Sequence, residues 1–207
     1  MRSLKLVNSS PFKHGAELDF SLETLKEDDL PWVLKCRNDS KIREISTSHK
    51  IITDSEHRDW WLDDKNEIRF VFRMDRKPLG LMRYTRHPPN GQGTKLYWSF
   101  WIDPYYMGNR MGYGRALASL SMLQLKLHNF YGFKELYAEV LFPVNTNSIT
   151  IHESLGFKLN DLSTFQSMLA LEQVATYVYQ NPLFSRGDLR QSRGLKVSSE
   201  ASDHSMR

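Results

Sequence analysis

A histidine and a glutamate in the second half of the chain could exchange protons with a bound substrate. His152 lies in a stretch with helical spacing, residues 145–155, and Glu139 lies in a strand-like stretch, residues 135–141. An imidazole with an ordinary pKa of ~6.5 can give a proton or a hydrogen bond near neutral pH. A carboxylate can take a proton from an amine, directly or through water. Two plainer roles stay open: His152 as a solvated helix residue, and Glu139 as a structural partner of a lysine or arginine.

A glycine-containing loop between a predicted strand and a predicted helix could bind an anion. Free N–H groups at a helix N-terminus attract phosphate, and glycine lets phosphate approach the backbone closely. The third glycine of a dinucleotide-binding fingerprint and the Gly-Lys-Ser/Thr ending of a nucleotide-binding loop are both missing, so a simple glycine turn is the competing interpretation. The residues that could contribute N–H groups or charge are Asn109, Arg110, Met111, Gly112, Tyr113, Gly114 and Arg115.

The elements that must position these residues alternate between strands and helices. Hydrophobic periodicity and turn residues predict the order β, α, α, β, β, β, α, β, α, β, β, with the last two strands near residues 165–171 and 176–179. This order predicts a single α/β (α+β) domain, residues 19–184, in which helices flank a mixed, largely antiparallel central sheet. We expect an N-terminal extension over residues 1–18 and a flexible polar tail over residues 185–207.

Composition excludes several classes of function. The chain has 28 lysines and arginines against 24 aspartates and glutamates, a net charge of +4. Half of this excess lies in the tail, with five basic and three acidic residues, so the nearly neutral body disfavours a nucleic-acid partner. A single cysteine, Cys36, excludes an internal disulfide, the histidines lack metal-ligand spacing, and no apolar stretch approaches the ~20 residues of a membrane span. The sequence therefore predicts a cytoplasmic protein without metal or membrane partners.

A second motif follows the glycine loop at a fixed distance. Residues 145–157 read N-T-N-S-I-T-I-H-E-S-L-G-F and begin 33 residues after Gly112. Together the two segments resemble the GNAT superfamily of N-acetyltransferases, in which a Q/R-x-x-G-x-G/A loop precedes an N-x-x-S/A-I-x-x-Y-x-x-L-G-F segment. The resemblance covers about residues 20–180. It departs from the family pattern at Asn109, at Arg110 and at His152, which stands where the family usually has tyrosine.

This resemblance implies a co-substrate and a reaction. It implies that acetyl-CoA is held by the glycine loop and by Asn145, and that a primary amine attacks the thioester directly, without a covalent enzyme intermediate. The family tyrosine protonates the departing thiolate, so the resemblance assigns that role to His152, with Glu139 as the candidate base for the amine. Asn145 is expected to position the co-substrate, to cap its helix, or to do both.

A third segment bears on the substrate that carries the amine. Residues 36–61 contain an R-N pair, an S-x-x-x-I stretch and an H-x-x-W stretch. They resemble bacterial GNAT enzymes that acetylate the 4-amino group of nucleotide-linked amino sugars, in particular the UDP-4-amino-4,6-dideoxy-N-acetyl-altrosamine N-acetyltransferases of pseudaminic acid synthesis. An anionic nucleotide sugar would suit Arg37, His57, Trp60 and Trp61 through charge and stacking. The tryptophans could instead be packing residues, and Arg37 a structural ion-pair partner.

Three functions are compatible with the sequence. The first is an acetyl-CoA-dependent N-acetyltransferase whose partner is a small-molecule amine, a nucleotide-linked amino sugar. The second, on the same fold, is acetylation of a protein N-terminus or lysine. The third is a non-catalytic acyl-CoA-binding module. The sequence leaves the oligomeric state open, with a homodimer among the alternatives.

Overall fold

A computed structural model describes residues 4–6, 19–63, 67–87, 95–109, 111–128, 133–166 and 171–181. Arg110 and the predicted tail lie outside the described residues. The elements follow the predicted order, with one additional N-terminal strand, one additional short α-helix and a 3-10 helix at Glu27–Asp29. In chain order they are β1 Leu4–Leu6, β2 Phe20–Thr24, α1 Leu30–Asn38, α2 Ser40–Glu44, α3 Asp54–Leu62, β3 Glu67–Met74, β4 Lys77–His87, β5 Lys95–Ile102, α4 Tyr113–His128, β6 Glu135–Phe142, α5 Thr146–Ser154, β7 Lys158–Gln166 and β8 Leu171–Gln180.

The strands form one sheet in the order β1-β2-β3-β4-β5-β6-β8-β7. Neighbouring strands are antiparallel, except that β5 and β6 are parallel. Parallel neighbours require a crossover connection, which α4 provides. The predicted mixed, largely antiparallel sheet flanked by helices is confirmed.

A gap opens in the middle of this sheet, because β5 and β6 pair only at their first residues. The paired positions are Lys95 with Glu135, Leu96 with Leu136, and Tyr97 with Tyr137. Beyond them, β5 stays paired only with β4 and β6 only with β8. The two strands therefore turn unpaired backbone edges towards each other, and the N–H and C=O groups along such edges need other partners.

Strand alternation gives the two faces of the sheet different surroundings. One face, here called the packed face, is covered by α4 and α5 and holds the main core, with Phe70, Met82, Leu96 and Leu136 among its buried residues. The other face, here called the cavity face, carries a smaller cluster against which α1 and α3 pack. The buried members of this second cluster are Leu25, Val33, Val71 and Leu81.

Local signals set the ends of the helices on both faces. Before α3, Thr53 Oγ1 accepts a hydrogen bond from the N–H of Glu56 at 3.3 Å, and the Glu56 carboxylate accepts one from the N–H of Thr53 at 2.9 Å. Before α5, Asn145 Oδ1 accepts a hydrogen bond from the N–H of Ser148 at 3.2 Å. After α5, Gly156 has a φ of +90°. The predicted cap at Asn145 is confirmed, and Thr53 and Gly156 bound their helices in the same way.

Two strands differ from the sequence prediction. β1 lies in the segment assigned to the N-terminal extension, yet it pairs with β2. β7 covers Lys158–Gln166, whereas the sequence predicts that strand near residues 165–171. The polar segment 158–164 was missed because every residue in it is exposed on an edge strand, so neither face shows an apolar repeat. Within the described part of the chain, no helix is long and apolar enough to cross a membrane.

Candidate active site

A cavity of about 610 Å³ lies where β5 and β6 separate. Its walls come from β3, β4 and β5, from β6 and α5, and from α1, α2, α3 and the segment 45–52. Ser99 and Trp101 of the cavity face line it, and so do Trp98 and Phe100 of the packed face. This central cavity therefore passes through the gap from one face of the sheet to the other.

The central cavity brings together several of the predicted site residues from separate parts of the chain. Those that line it are Arg37, His57, Trp60, Glu139, Asn145 and His152. Trp61 does not line the cavity and packs instead against the second hydrophobic cluster, which fits the packing alternative for this tryptophan. The described residues of the glycine loop also lie outside the cavity lining.

His152 is buried, with 3% of its surface exposed, and both of its ring nitrogens have partners. Nε2 lies 3.0 Å from the indole nitrogen of Trp98, and Nδ1 lies 2.7 Å from the carbonyl oxygen of Ser148. An indole N–H only donates and a carbonyl only accepts. Nε2 must therefore carry the lone pair and Nδ1 the proton, which fixes the neutral Nδ1–H tautomer.

The surroundings of His152 keep its imidazole neutral. Rings of Trp98, Phe100, Phe157 and Tyr177 lie around it at centroid distances of 5.0–6.1 Å, and burial lowers the pKa of His152 to about 4. The ring thus has no free N–H for a substrate and no ionisable proton near neutral pH. The predicted general-acid role finds no support in these contacts, the solvated alternative is wrong, and the contacts fit a positioning role.

Glu139 is exposed on the cavity face of β6, opposite to the buried Leu136, Ala138 and Val140, as strand alternation predicts. Burial, and after it the charge of Glu139, raises the pKa of Tyr97 across the gap on β5. Within the described residues, no lysine or arginine pairs with Glu139. Its carboxylate is therefore open to the cavity, and the structural ion pair considered as its alternative is not present there.

Arg37 carries a hydrogen-bond donor without a partner beside the cavity. Its Nη2 donates to the carbonyl of Ser48 at 3.0 Å, whereas its Nη1 is buried and has no partner among the described residues. Burial, followed by the charges of Arg83 and Arg43, lowers the pKa of this guanidinium, which nevertheless stays charged. A buried donor left unpaired costs ~1–3 kcal/mol, and more when it is charged. The arrangement fits an anionic ligand.

Arg83 adds a second guanidinium to the same wall, and Glu67 anchors it. Arg83 Nη1 lies 3.4 Å from Glu67 Oε1, and its Nε donates to Ser99 Oγ at 3.2 Å. The other carboxylate oxygen of Glu67 accepts hydrogen bonds from Arg69 at 2.9 Å and from the indole of Trp60 at 3.2 Å. Arg69 also lies 4.1 Å from the centroid of the Trp60 ring. These contacts hold Trp60 as a fixed part of the wall.

His57 completes the α3 side of the cavity. Its ring stacks on Trp60 at a centroid distance of 5.1 Å, and its Nε2 is buried without a partner among the described residues. Burial lowers the pKa of His57. The charge of Asp54 raises this pKa, and the charge of Arg69 lowers it further. The ring is therefore neutral near pH 7, and its contribution to this wall is shape and a hydrogen-bonding atom rather than charge.

The segment 45–53, here called the roof, lines the cavity and is held by hydrogen bonds to several other elements. The side-chain amide of Asn38 both donates to and accepts from the backbone of Ile52, each at 2.8 Å. Arg43 donates to the carbonyl of His49 at 3.1 Å. The His49 ring lies 2.9 Å from a carboxylate oxygen of Glu172 on β8. Because these ties reach both α1 and β8, the roof spans the cavity.

The glycine loop forms a turn that leads into α4. Gly108 and Gly112 have φ values of +81° and +74°, and Asn109 Oδ1 accepts a hydrogen bond from the N–H of Met111 at 3.2 Å. A Cβ on Gly112 would meet nothing within 4 Å, so the space next to this backbone is open. The side chain of Tyr113 is buried against Phe20. Only its backbone therefore faces the loop.

Arg83, Tyr97 and Ser148 are among the cavity residues to which the sequence analysis assigns no role. Ser148 stands in the second family motif, so its position was available as a signal. Arg83 and Tyr97 lie in strands whose alternation indicates a face, but only the pairing of β4 with β5 and the separation of β6 bring them to one cavity.

Three features together define a class of protein. They are a parallel strand pair that separates, a glycine turn into the crossover helix, and a cavity through the gap. The model of the acetyltransferase (GNAT) domain matches residues 22–164. The chain belongs to the GNAT acetyltransferase family and is an acetyl-CoA-dependent N-acetyltransferase. No curated protein matches the chain.

Solved structures share this fold at low sequence identity. The spermidine N-acetyltransferase of Vibrio cholerae, in complex with CoA and spermine, is 18% identical, with a TM-score of 0.66 over 78% of this chain and 95% of its own. The yncA protein of Salmonella typhimurium, with acetyl-CoA, is 15% identical, with a TM-score of 0.65 over 78% and 93%. The ribosomal-protein-alanine N-acetyltransferase of Brucella melitensis is 21% identical, with a TM-score of 0.64 over 77% and 99%. At these identities the similarity shows the fold alone.

Proposed function

We propose that the protein transfers the acetyl group of acetyl-CoA to a primary amine on an acceptor that also carries an anionic group, specifically the 4-amino group of a nucleotide-linked amino sugar. The observation that carries this proposal is the buried, unpartnered Nη1 of Arg37 in the same cavity as the open carboxylate of Glu139. The other charged pairs of the cavity satisfy each other: Lys50 with Glu56, and Arg83 with Glu67. One cation and one anion remain for the acceptor.

The glycine loop fits the pyrophosphate of the co-substrate. The open space beside Gly112 and the start of the 16-residue helix α4 present backbone N–H groups to an anion. The residues that would hold this group are the backbone of residues 111–114 and the exposed side chain of Arg115, with Asn109 shaping the turn. Bound acetyl-CoA supplies an activated acetyl group as a thioester.

In the proposed reaction, Glu139 prepares the amine. An amine attacks a thioester only in its neutral form, so the proton of an ammonium group must be removed. The Glu139 carboxylate takes this proton, directly or through a water molecule, and its negative charge also attracts the ammonium before transfer. No covalent enzyme intermediate is needed, and no nucleophilic side chain is required at this point of the cavity.

The charges and the roof separate this acceptor from those of the structural neighbours. Spermine, present with the Vibrio cholerae enzyme, is a polycation, and the unpartnered guanidinium of Arg37 would repel it. A protein N-terminus, the acceptor that the Brucella melitensis enzyme's name indicates, needs an open groove. The roof over the cavity of about 610 Å³ favours a small molecule instead.

A thiol-release assay tests the proposal with a panel of amines: UDP-linked 4-amino sugars, the same sugars without the nucleotide, aminoglycosides, spermine and peptides. We expect the highest kcat/KM for a UDP-linked amino sugar and at least a ~10-fold loss when the nucleotide is removed, since a charge-assisted contact is lost. A preference for spermine or a peptide would overturn the acceptor assignment. Binding of acetyl-CoA without turnover of any amine would favour the non-catalytic module.

Glu139→Gln tests the role of the carboxylate, with Glu44→Gln as its control, because Glu44 is exposed on α2 and outside the cavity. We expect Glu139→Gln to lower kcat by about 10²-fold, the scale of general base catalysis, and Glu44→Gln to leave it unchanged. Equal kcat values for the two variants would remove Glu139 from the reaction.

A further inference from the structure

The hydroxyl of Ser148 differs from those of Thr150 and Ser154 on the same helix, α5. Thr150 donates to the carbonyl of Thr146 at 3.0 Å and Ser154 donates to the carbonyl of Ile151 at 2.8 Å, which is the usual way in which helical hydroxyls are satisfied. Ser148 Oγ lies 3.3 Å from Nδ1 of His152 instead. Because that nitrogen carries the ring proton, the hydroxyl cannot donate to it.

The Ser148 hydroxyl proton therefore has no acceptor among the described residues. Ser148 is half-buried and lines the central cavity. Its oxygen is held by the first turn of α5, whose N-cap is Asn145, and it faces the Nδ1–H of His152. The result is a hydroxyl of fixed position whose proton is free to enter the cavity.

A path connects this hydroxyl with the glycine loop. A Cβ on Gly114, in the first turn of α4, would lie 3.3 Å from the side chain of Ile151 on α5. Ser148 lies three residues before Ile151 on the same helix, and residues at this spacing are neighbours on the helix surface. The surface from the start of α4 to the cavity therefore runs along α5, past Ile151, and ends at Ser148. A molecule anchored by its phosphates at the start of α4 would follow this surface.

We propose that Ser148 is a catalytic residue that donates a hydrogen bond to the sulfur of coenzyme A as the thiolate leaves, and that His152 is a positioning residue that holds Ser148 and Trp98. This rests on the proposed acetyl transfer. In that transfer the C–N bond forms, the C–S bond breaks and its electron pair stays on sulfur. The proton of the amine goes to Glu139 or to water. Ser148 keeps its own proton, because an alcohol is a far weaker acid than a thiol of pKa ~8.5.

The positioning role of His152 follows from its two hydrogen bonds. Nε2 accepts from Trp98 on β5, and Nδ1–H donates to the backbone of Ser148 on α5. The ring therefore joins the strand on one side of the gap to the helix on the other. A glutamine can also donate one hydrogen bond and accept another, whereas a leucine can do neither, so these two replacements distinguish positioning from proton transfer.

A binding measurement tests the contact without any turnover. Calorimetry at pH 9, where part of the CoA is thiolate, compares CoA with desulfo-CoA, which lacks the sulfur. We expect Ser148→Ala to weaken CoA binding about 10-fold, since a hydrogen bond to a charged group is lost, and to leave desulfo-CoA binding unchanged. Ser154→Ala, in the same helix but outside the cavity lining, should change neither. Equal losses for both ligands, or no loss for CoA, would overturn the proposal.

Kinetics separate this proposal from the proposed function. We expect Ser148→Ala to lower kcat about 10-fold with little change in the KM for acetyl-CoA, and Ser148→Thr to restore most of it. His152→Gln should retain activity and His152→Leu should lose it, and the kcat of the wild type should show no ionisation near pH 6.5. A wild type that turns over no amine would refute the proposed function. An active wild type with an equally active Ser148→Ala, or an inactive His152→Gln, would refute only this assignment.

Discussion

On the packed face of β5, Leu96 and Trp98 are buried beneath α4 and α5, whereas on the cavity face of the same strand Tyr97 and Ser99 line an open cavity. Side chains alternate between the two faces along the strand, and Trp98 reaches the cavity only because the gap opens beside it. The packed face holds the main core, and His152 sits within it with both ring nitrogens bonded. The cavity face combines a small apolar cluster with a row of charged side chains.

Both sides contain buried polar atoms without partners among the described residues, but their chemistry differs. On α4, beside the packed face, these atoms are uncharged: Ser121 Oγ and Gln124 Oε1. Beside the cavity they belong to the guanidinium of Arg37 and the imidazole of His57. An unpaired buried cation costs much more than an unpaired hydroxyl. Burial alone therefore does not distinguish a core from a binding site in this protein, whereas unpaired charge does.

Matched leucines on β4 give the largest expected effect. Leu79, without a Cα partner on β3, packs in the main core, and Leu81 packs in the second cluster and lines the cavity. We expect Leu79→Ala to lower the free energy of unfolding by about 4 kcal/mol and Leu81→Ala by about 2 kcal/mol, because only the first leaves a new enclosed void. Urea denaturation measures both. Equal losses would show that the two faces are packed alike.

The pH dependence of stability tests the packed face next. The pKa of His152 falls from its ordinary 6.5 to about 4, so between these values the unfolded chain binds more protons than the folded one. The stability linked to this group is therefore complete above pH 6.5 and is lost as the pH falls towards 4. At ~1.4 kcal/mol per pKa unit, the loss is about 3 kcal/mol.

Denaturation midpoints at pH 7, 5.5 and 4.5 measure this loss, with His152→Gln as the comparison. The variant should show a smaller decline than the wild type over the same interval. His57→Gln is the control on the cavity side. Burial lowers the pKa of His57 as well, so this histidine also makes the protein less stable as the pH falls. If the wild type and His152→Gln declined in parallel, His152 would not be the buried neutral group described above.

Removal of the unpaired cation tests the cavity face. We expect Arg37→Met to lower kcat/KM for an anionic acceptor about 30-fold, since a charge-assisted hydrogen bond contributes ~2 kcal/mol, and to leave a neutral amine unaffected. The variant should unfold at the same or higher urea concentration, because an unpaired buried charge is removed. Arg58→Met, on the exposed side of α3, controls for net charge. A marked loss of stability in Arg37→Met alone would mark Arg37 as structural.

The order of the elements and the facing of single strands could be predicted from the sequence. Alternation alone puts Glu139 on the face opposite to Leu136 and Ala138, and Asn145 is predictable as a cap, because both signals depend on neighbours within a few residues. β7 could not be recognised, because an exposed edge strand has no apolar face to give it a period.

The chemistry of His152 could not be predicted from its position in a motif. Its tautomer depends on the indole of Trp98, 54 residues away in the chain, and its protonation depends on rings contributed by three other strands or turns. The same holds for Arg37, whose lack of a partner becomes visible only when α1, the roof and β4 are assembled. Long-range contacts decide which of the candidate residues can react.

The cap of α3 gives the smallest expected effect and shows how the cavity face is held. Thr53 and Glu56 form a reciprocal capping box, and hydrogen bonds from Lys50 and Thr53 lower the pKa of Glu56 to about 2. We expect Thr53→Ala to lower the free energy of unfolding by about 1 kcal/mol and Thr53→Ser to preserve it, with urea denaturation as the measurement. The acceptor KM should change little, because Glu67 still holds Trp60 and Arg83 in the wall. A large rise in KM for Thr53→Ala, absent from Thr53→Ser, would show instead that the wall depends on the start of α3 rather than on the charged network across β3 and β4.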